Sequence, residues 1–221
     1  MCSTRDVLPV FGVSGLCTST LFRFTPGFFR TLGPAVELGR SFVPAEFQKD
    51  YAPLMLLWQG IGHCIASRPE APVLFGPVSI SAAYSRAAIE LIVQYLRQHR
   101  LRSDLARLVT PRRPFRPRST CAAELRHLAP CLNEIDELSV PLADMDECSQ
   151  IPVLLRHYLR LGGRVAAFNV DRNFSNALDG LLLVDLRETS PKLLAKYIGV
   201  GSAAALVRRP CGLSGRAGCC A

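Results

Sequence analysis

The 221-residue chain predicts an α/β domain with a mixed sheet and helices on both faces, and three observations carry that expectation. In the middle of the chain a helical pattern separates two strand patterns, a crossover that implies a parallel pair. Near the C-terminus two strand patterns flank a short polar turn, which implies an antiparallel hairpin. The composition is 49% hydrophobic, 8% aromatic and 20% charged, apolar enough for one sizeable core and unlike a disordered chain.

Taken in order, Met1 to Gly15 carries no clear pattern. Leu16 to Phe24 (LCTSTLFRF) is rich in β-branched and aromatic residues and reads as a strand that Thr25-Pro26-Gly27 breaks. Phe28 to Gly33 reads as a short helical turn. Ala35 to Val43 (AVELGRSFV) alternates as a strand, with Val36, Leu38, Arg40 and Phe42 on one face and Ala35, Glu37, Gly39, Ser41 and Val43 on the other. After the polar loop from Pro44 to Tyr51, a helix is expected from Pro53 to Ser67, with Leu54, Leu57, Trp58 and Ile61 as its apolar stripe. Val73 to Ser81 (VLFGPVSIS) is a strand in which Gly76-Pro77 predicts a bulge or splay. Ser85 to Arg100 is a helix with Ser85 as N-cap and Ala88, Ile92, Tyr95 and Leu96 on one face.

Residues 101–150 break the rhythm. A basic, proline-interrupted stretch (Arg107, Arg112, Arg113, Arg116, Arg118) precedes an acidic one (Glu134, Asp136, Glu137, Asp144, Asp146, Glu147). We expect an irregular, poorly packed excursion or lid with a helix near 122–129. Order returns in Ile151 to Leu161, a helix stopped by Gly162-Gly163, then a strand over Arg164 to Val170, turn residues Asp171 to Asn176 and a strand over Leu178 to Leu186. A last helix spans Ser190 to Ile198, with Pro191 in its first turn. Residues 201–221 carry no period and read as an irregular tail.

Composition limits the function classes. Net charge is +8 and the isoelectric point near 9.2, which favours an anionic partner: nucleic acid, an anionic membrane, or an acidic carrier protein or nucleotide. No helix-turn-helix, RNP or finger motif is present, which argues against nucleic acid. The nine cysteines form no CxxC pair and have no histidine at zinc spacing, so reduced thiols and no metal site are expected. The longest apolar stretch, Ala52 to Ala66, contains Gln59 and His63 and falls short of the roughly 18 residues of a membrane span. With no basic-then-apolar leader at the N-terminus, the expected location is the cytoplasm. His63 and His157 lie in helices and read as core or surface histidines; His99 and His127 lie among arginines and read as solvated.

Chemistry concentrates between Val36 and Tyr51. Glu37-Leu38-Gly39-Arg40 lies on a strand that runs through a polar loop into a helix, whose first amides would face an anion. Glu37 and Arg40 as a surface ion pair is the competing reading.

AVELGRSFV, YAPLMLLWQGIG, VLFGPVSIS, RPFRPR and PVLLRHYLRLGGRVAAFNVDRNFSNALDGLLLVDLR together resemble the ornithine-lipid N-acyltransferase branch of the GNAT-like acyltransferases. They are also similar to the hemolysin-type, lysophospholipid-acyltransferase proteins of that group. The resemblance covers residues 16–200, and the Glu37–Arg40 motif also resembles the acyl-homoserine-lactone synthases. It implies transfer of a fatty acyl group from an acyl-carrier-protein thioester, or from acyl-coenzyme A, to an amine or hydroxyl of a lipid precursor. It implies no bound cofactor, acyl carrier protein as partner, and an anionic inner-membrane surface as a site of peripheral attachment.

Residue by residue, the resemblance implies Glu37 as base or acceptor-orienting group and Arg40 as its holder or a phosphate contact. Lys49, Tyr51, Gly76 and Ser79 would bind the donor, with the pantetheine arm pairing at the Gly76-Pro77 splay. Arg107, Arg112, Arg113 and Arg116 would touch carrier or lipid, with a merely solvated loop as the competing reading, and Asn169, Asp171, Phe174 and Asp179 form the recurring C-terminal motif. Family domains have further helices and strands before the counterpart of Leu16, so the chain is expected to be N-terminally truncated. The runner-up is a non-catalytic module of the same fold.

Overall fold

We describe the chain from a computed structural model that covers residues 1–39, 51–68, 70–117, 122–145 and 151–199, together with Gly201 and Ala203. A five-stranded sheet organises it. Its strands are β1 (Cys2–Ser3), β3 (Ala35–Glu37), β4 (Val73–Ile80), β6 (Arg164–Asp171) and β7 (Ala177–Asp185), in the spatial order β1-β3-β4-β7-β6. β3 and β4 are parallel and joined by helix α3 (Tyr51–Ala66); β4–β7 and β6–β7 are antiparallel. The fold class is thus the expected mixed α/β one, with both the crossover pair and the terminal hairpin in place.

Alternation along the strands divides the core. Val36, Leu74, Val78, Leu182 and Val184 face one side, where α3, α4 (Arg86–His99), α8 (Val153–Arg160) and α9 (Pro191–Ile198) supply Trp58, Ile65, Ile92, Tyr95, Leu155 and Leu194. Ala35, Val73, Phe75, Leu181 and Leu183 face the other side, against Leu16, Phe22, Phe28, Leu32 and Leu105. Helices therefore cover both faces. The helix signals behave as their chemistry dictates: Ser85 Oγ accepts from the Ala88 amide, 3.2 Å away, and Gly162 (φ +88°) lets the Gly163 amide return to the Tyr158 carbonyl at 2.9 Å.

Three expectations need correction. Met1 to Gly15 is ordered: Ser3 caps helix α1 (Thr4–Phe11), and β1 extends the sheet. Leu16 to Phe24 is not one strand. Cys17–Thr20 winds into a 3₁₀ turn, because the Cys17 and Thr18 amides both donate to the Glu37 carboxylate and cannot enter a ladder. Only β2 (Phe22–Phe24) is extended, and it pairs with β5 (Val109–Pro111) in a separate two-stranded sheet.

Nor is the stretch after Arg100 a loosely packed excursion. Helix α5 (Ser103–Ala106) buries Leu105, and the chain beyond β5 runs antiparallel to the outer edge of β6, burying Phe115. Helix α6 (Ala122–Leu128) and α7 (Ser139–Met145), with two 3₁₀ turns between them, bury Leu125, Ile135, Leu138 and Leu142 in the main core. Asp136 of the acidic run pairs with Arg156 and Arg160 of α8, at 3.2 and 3.0 Å. Charge alternation had concealed a small set of well-spaced apolar anchors. Residues 146–150 and nearly all of the tail lie outside the described residues.

Candidate functional site

β3 and β4 run together only from Val73 to Phe75, with a last bond from the Leu38 amide to the Phe75 carbonyl at 2.8 Å. Beyond it the two strands part. Gly76 is required here: a Cβ would stand 2.3 Å from the Leu38 carbonyl oxygen. Since Phe75 turns its carbonyl toward β3, the period of two aims the Pro77 carbonyl and both backbone groups of Ser79 into the gap. Pro77 lies mid-sheet because its missing N–H faces that gap, while the β4–β7 register continues unbroken from Val73 to Ile80. The expected Gly76-Pro77 feature is therefore a splay on one edge, without a bulge in the ladder to β7.

A cavity of about 600 Å³ fills the splay. Leu38, Leu57, Leu154, Leu182 and Val184 make it chiefly apolar, and Gly76, Ser79, Tyr158 and Phe174 complete the wall. Two of the expected donor-binding residues, Gly76 and Ser79, are thus at the site. Tyr51 is the first residue of α3, whose Leu57 lines the cavity. Arg40 and Lys49 lie outside the described residues. Sequence reasoning missed Tyr158, although it stands in the quoted block PVLLRHYLRLGG. It is 8% exposed, packs edge-on against Trp58 at 5.0 Å, and burial pushes its phenol up to about 12. It stays protonated at any physiological pH.

Glu37 is placed elsewhere. Its side chain alternates with Val36 and Leu38 and points to the opposite face of the sheet, where it is 1% exposed. It accepts from the Cys17 amide (3.0 Å), the Thr18 amide and hydroxyl (2.7 Å each) and the Cys2 thiol (3.3 Å). Burial, then the Glu37 carboxylate, push that thiol up to about 11. A carboxylate so committed anchors the N-terminal segment. Its lone pairs point to the face opposite the cavity, so in this geometry they do not reach it.

The C-terminal motif separates into three functions. Asn169, Asp179 and Ser79 lie in register across β6, β7 and β4, on the face opposite the main core. Ser79 Oγ donates to buried Asp179, and Asn169 Oδ1 accepts from the Arg113 amide at 2.7 Å. Asp171 shapes the turn by accepting from the Asn173 amide at 2.9 Å. Phe174, half exposed, lines the cavity. The four expected arginines divide as well. Arg112 donates to the Ser19 carbonyl at 2.8 Å and Arg107 follows α5, whereas Arg113 and Arg116 line a second cleft with Arg86 and Arg172. Among the described residues no cluster of potential metal ligands occurs, and no helix is long and apolar enough to cross a membrane.

A mixed sheet whose parallel pair opens over an apolar cavity is consistent with a GNAT-like acyltransferase fold. Comparison with known proteins agrees with it. The chain is 30% identical over 174 residues to a glycine N(alpha)-acyltransferase of Bacteroides thetaiotaomicron, covering 74% of this chain and 50% of that protein. It is 33% identical over 107 residues to a glycine N(alpha)-acyltransferase of Phocaeicola vulgatus, covering 45% of this chain and 32% of that protein. The chain therefore spans about half the length of the first of these relatives, and less of the second. No protein-family model and no solved structure matches it.

Proposed function

We propose that the chain is the acyl-transferring part of an N-acyltransferase that moves a fatty acyl group from a thioester on acyl carrier protein, or on coenzyme A, to an amine. The splay carries this reading. The Pro77 carbonyl and Ser79 backbone groups, unpaired on the β3 side among the described residues, suit the amides of an extended pantetheine arm, and the cavity beside them suits a hydrocarbon chain, each buried methylene contributing about 0.8 kcal/mol. In the reaction the amine attacks the thioester carbonyl, the C–N bond forms, the C–S bond breaks, and the ammonium proton is lost as the thiolate gains one. Tyr158, held as a neutral phenol on the cavity wall, is the hydrogen-bond donor this reading assigns to the leaving sulfur, and the proton the ammonium gives to solvent balances the one the thiolate takes up. The names of the relatives favour an amino acid as acceptor. The ornithine-lipid and lysophospholipid resemblance favours a lipid precursor, at an anionic membrane surface.

The test mixes the purified chain with long-chain acyl carrier protein or acyl-coenzyme A and one acceptor at a time: glycine, ornithine, lyso-ornithine lipid, lysophospholipid or glycerol phosphate. Mass spectrometry should find an acylated product that disappears when Leu57→Trp fills the cavity. Failure of every pair, with no donor bound by the folded chain, overturns the proposal. One observation favours a second reading, a non-catalytic module of the same fold: the carboxylate that resembles the family base is committed to the N-terminal turn. Donor binding without transfer would select it.

A further inference from the structure

We infer that a second cleft, lined by Arg86, Arg113, Arg116 and Arg172, is a binding site for a small oxyanion, either a carboxylate or a phosphate. It has a volume of about 640 Å³ and shares one structural element with the splay cavity: Phe174 of the β6–β7 turn lines the first, Arg172 and Asn176 the second. Its arginines come from three parts of the chain, and each is held there by a different device. Pairing of the 113–115 stretch with β6 places Arg113 and Arg116: Pro114 bridges Asn169, the Val170 amide donates to the Arg113 carbonyl at 2.8 Å, and Asn169 Oδ1 accepts from the Arg113 amide. Arg86 lies over the Phe115 ring at 4.9 Å, 3.2 Å from a Glu90 carboxylate that is almost fully buried beneath it, and donates to the Arg116 carbonyl. The left-handed residues Ser175 (φ +50°) and Asn176 (φ +58°) set the turn that carries Arg172.

Of the four guanidiniums, Arg86 is paired with the Glu90 carboxylate beneath it, and the other three are not neutralised from the walls. Among the described residues no acidic side chain lines the cleft, and Arg113, Arg116 and Arg172 have no ion-pair partner there. Asp171 alternates along β6 with Val170, which lines the cleft, and is not itself part of the cleft wall. Guanidiniums brought together in this way repel one another, and an oxyanion reverses the sign of that interaction through paired N–H donors. Buried Glu90 and the Phe115 ring fix Arg86 before any ligand arrives, which a merely solvated arginine does not need. If the proposed function holds, on which this source of the ligand rests, the anion belongs to the acceptor's carboxylate or to the phosphate of the donor arm.

Calorimetric titration tests this with the full chain at low ionic strength and no acyl donor, using glycine and acetate as carboxylate probes and inorganic phosphate and phosphopantetheine as phosphate probes. Saturable binding is expected, and the double variant Arg113→Ala/Arg172→Ala should weaken it by roughly tenfold or more. Arg113→Lys/Arg172→Lys should lose part of it, because an ammonium lacks the planar fork. Arg126→Ala, at an exposed position of α6, should change nothing. Selectivity for glycine and acetate identifies the acceptor as the source, selectivity for phosphopantetheine the donor. Equal binding by wild type and the alanine double variant, or an equal loss in Arg126→Ala, overturns the site. A chain that binds the probes through these arginines but transfers no acyl group sinks the proposed function and leaves the site standing; an active chain that binds none of them does the reverse.

Discussion

Single residues here take their roles from the face of the sheet they reach. Glu37 carries the acid of a motif that suggests catalysis, yet alternation turns it to the side where two backbone amides, a hydroxyl and a thiol surround it. Glu37→Gln should therefore act on stability. Replacing the charged acceptor weakens charge-assisted bonds worth about 1.5–3 kcal/mol each and should lower the urea midpoint, while acyl transfer per folded molecule is retained. A turnover loss of about 10²–10⁴ at unchanged stability would instead restore the base role. His157 allows a test with pH. Its Nδ1 lies 2.5 Å from the Tyr197 hydroxyl, and burial, followed by Arg160, Arg156 and Lys196, holds its pKa below the ordinary value near 6.5. A depressed histidine pKa means that the unfolded chain binds the proton first. Stability should accordingly fall as pH drops from the ordinary value toward the folded one, and His157→Gln should flatten that slope in thermal melts. The Cys2 thiol, raised to about 11, should alkylate far more slowly at neutral pH than exposed Cys131.

Elements were legible where period and punctuation agreed. The helices over Arg86–His99 and Val153–Arg160 follow from their caps and apolar faces, and the hairpin from two apolar runs around DRNFSN. The strand over Val73–Ile80 was legible too, and so was its anomaly at Gly76-Pro77. Only the neighbour showed what the anomaly does, because a splay is a relation between two strands. Gly76→Ala should force the Leu38 carbonyl away, costing about 1–3 kcal/mol and weakening donor binding through the shifted gap; parallel melting and donor-binding measurements check both. Leu16 to Phe24 misled because β propensity is weak where tertiary donors and acceptors compete, and a buried carboxylate took two of its amides.

At the scale of the molecule, one sheet separates two apolar clusters, and the first 32 residues cover one of its faces with Leu16, Phe22, Phe28 and Leu32. That segment is structural despite its lack of period. Phe28→Ala should cost about 3–5 kcal/mol in a denaturant titration, and removing residues 1–32 should abolish cooperative unfolding, since Val73, Phe75, Leu181 and Leu183 would be bared.

The sequence by itself determined the mixed α/β class, the parallel crossover, the hairpin and the position of the splay, because each is written in local periodicity and in the stereochemistry of Gly and Pro. The tertiary structure alone decided which face Glu37 serves, that the basic and acidic stretches after Arg100 pack on α4, α8 and β6, and that Arg86 and Arg172 join Arg113 and Arg116 around one cleft. Those outcomes depend on pairing between residues some 20 to 100 positions apart, and local pattern carries no information about which partner a strand edge or a buried carboxylate will find.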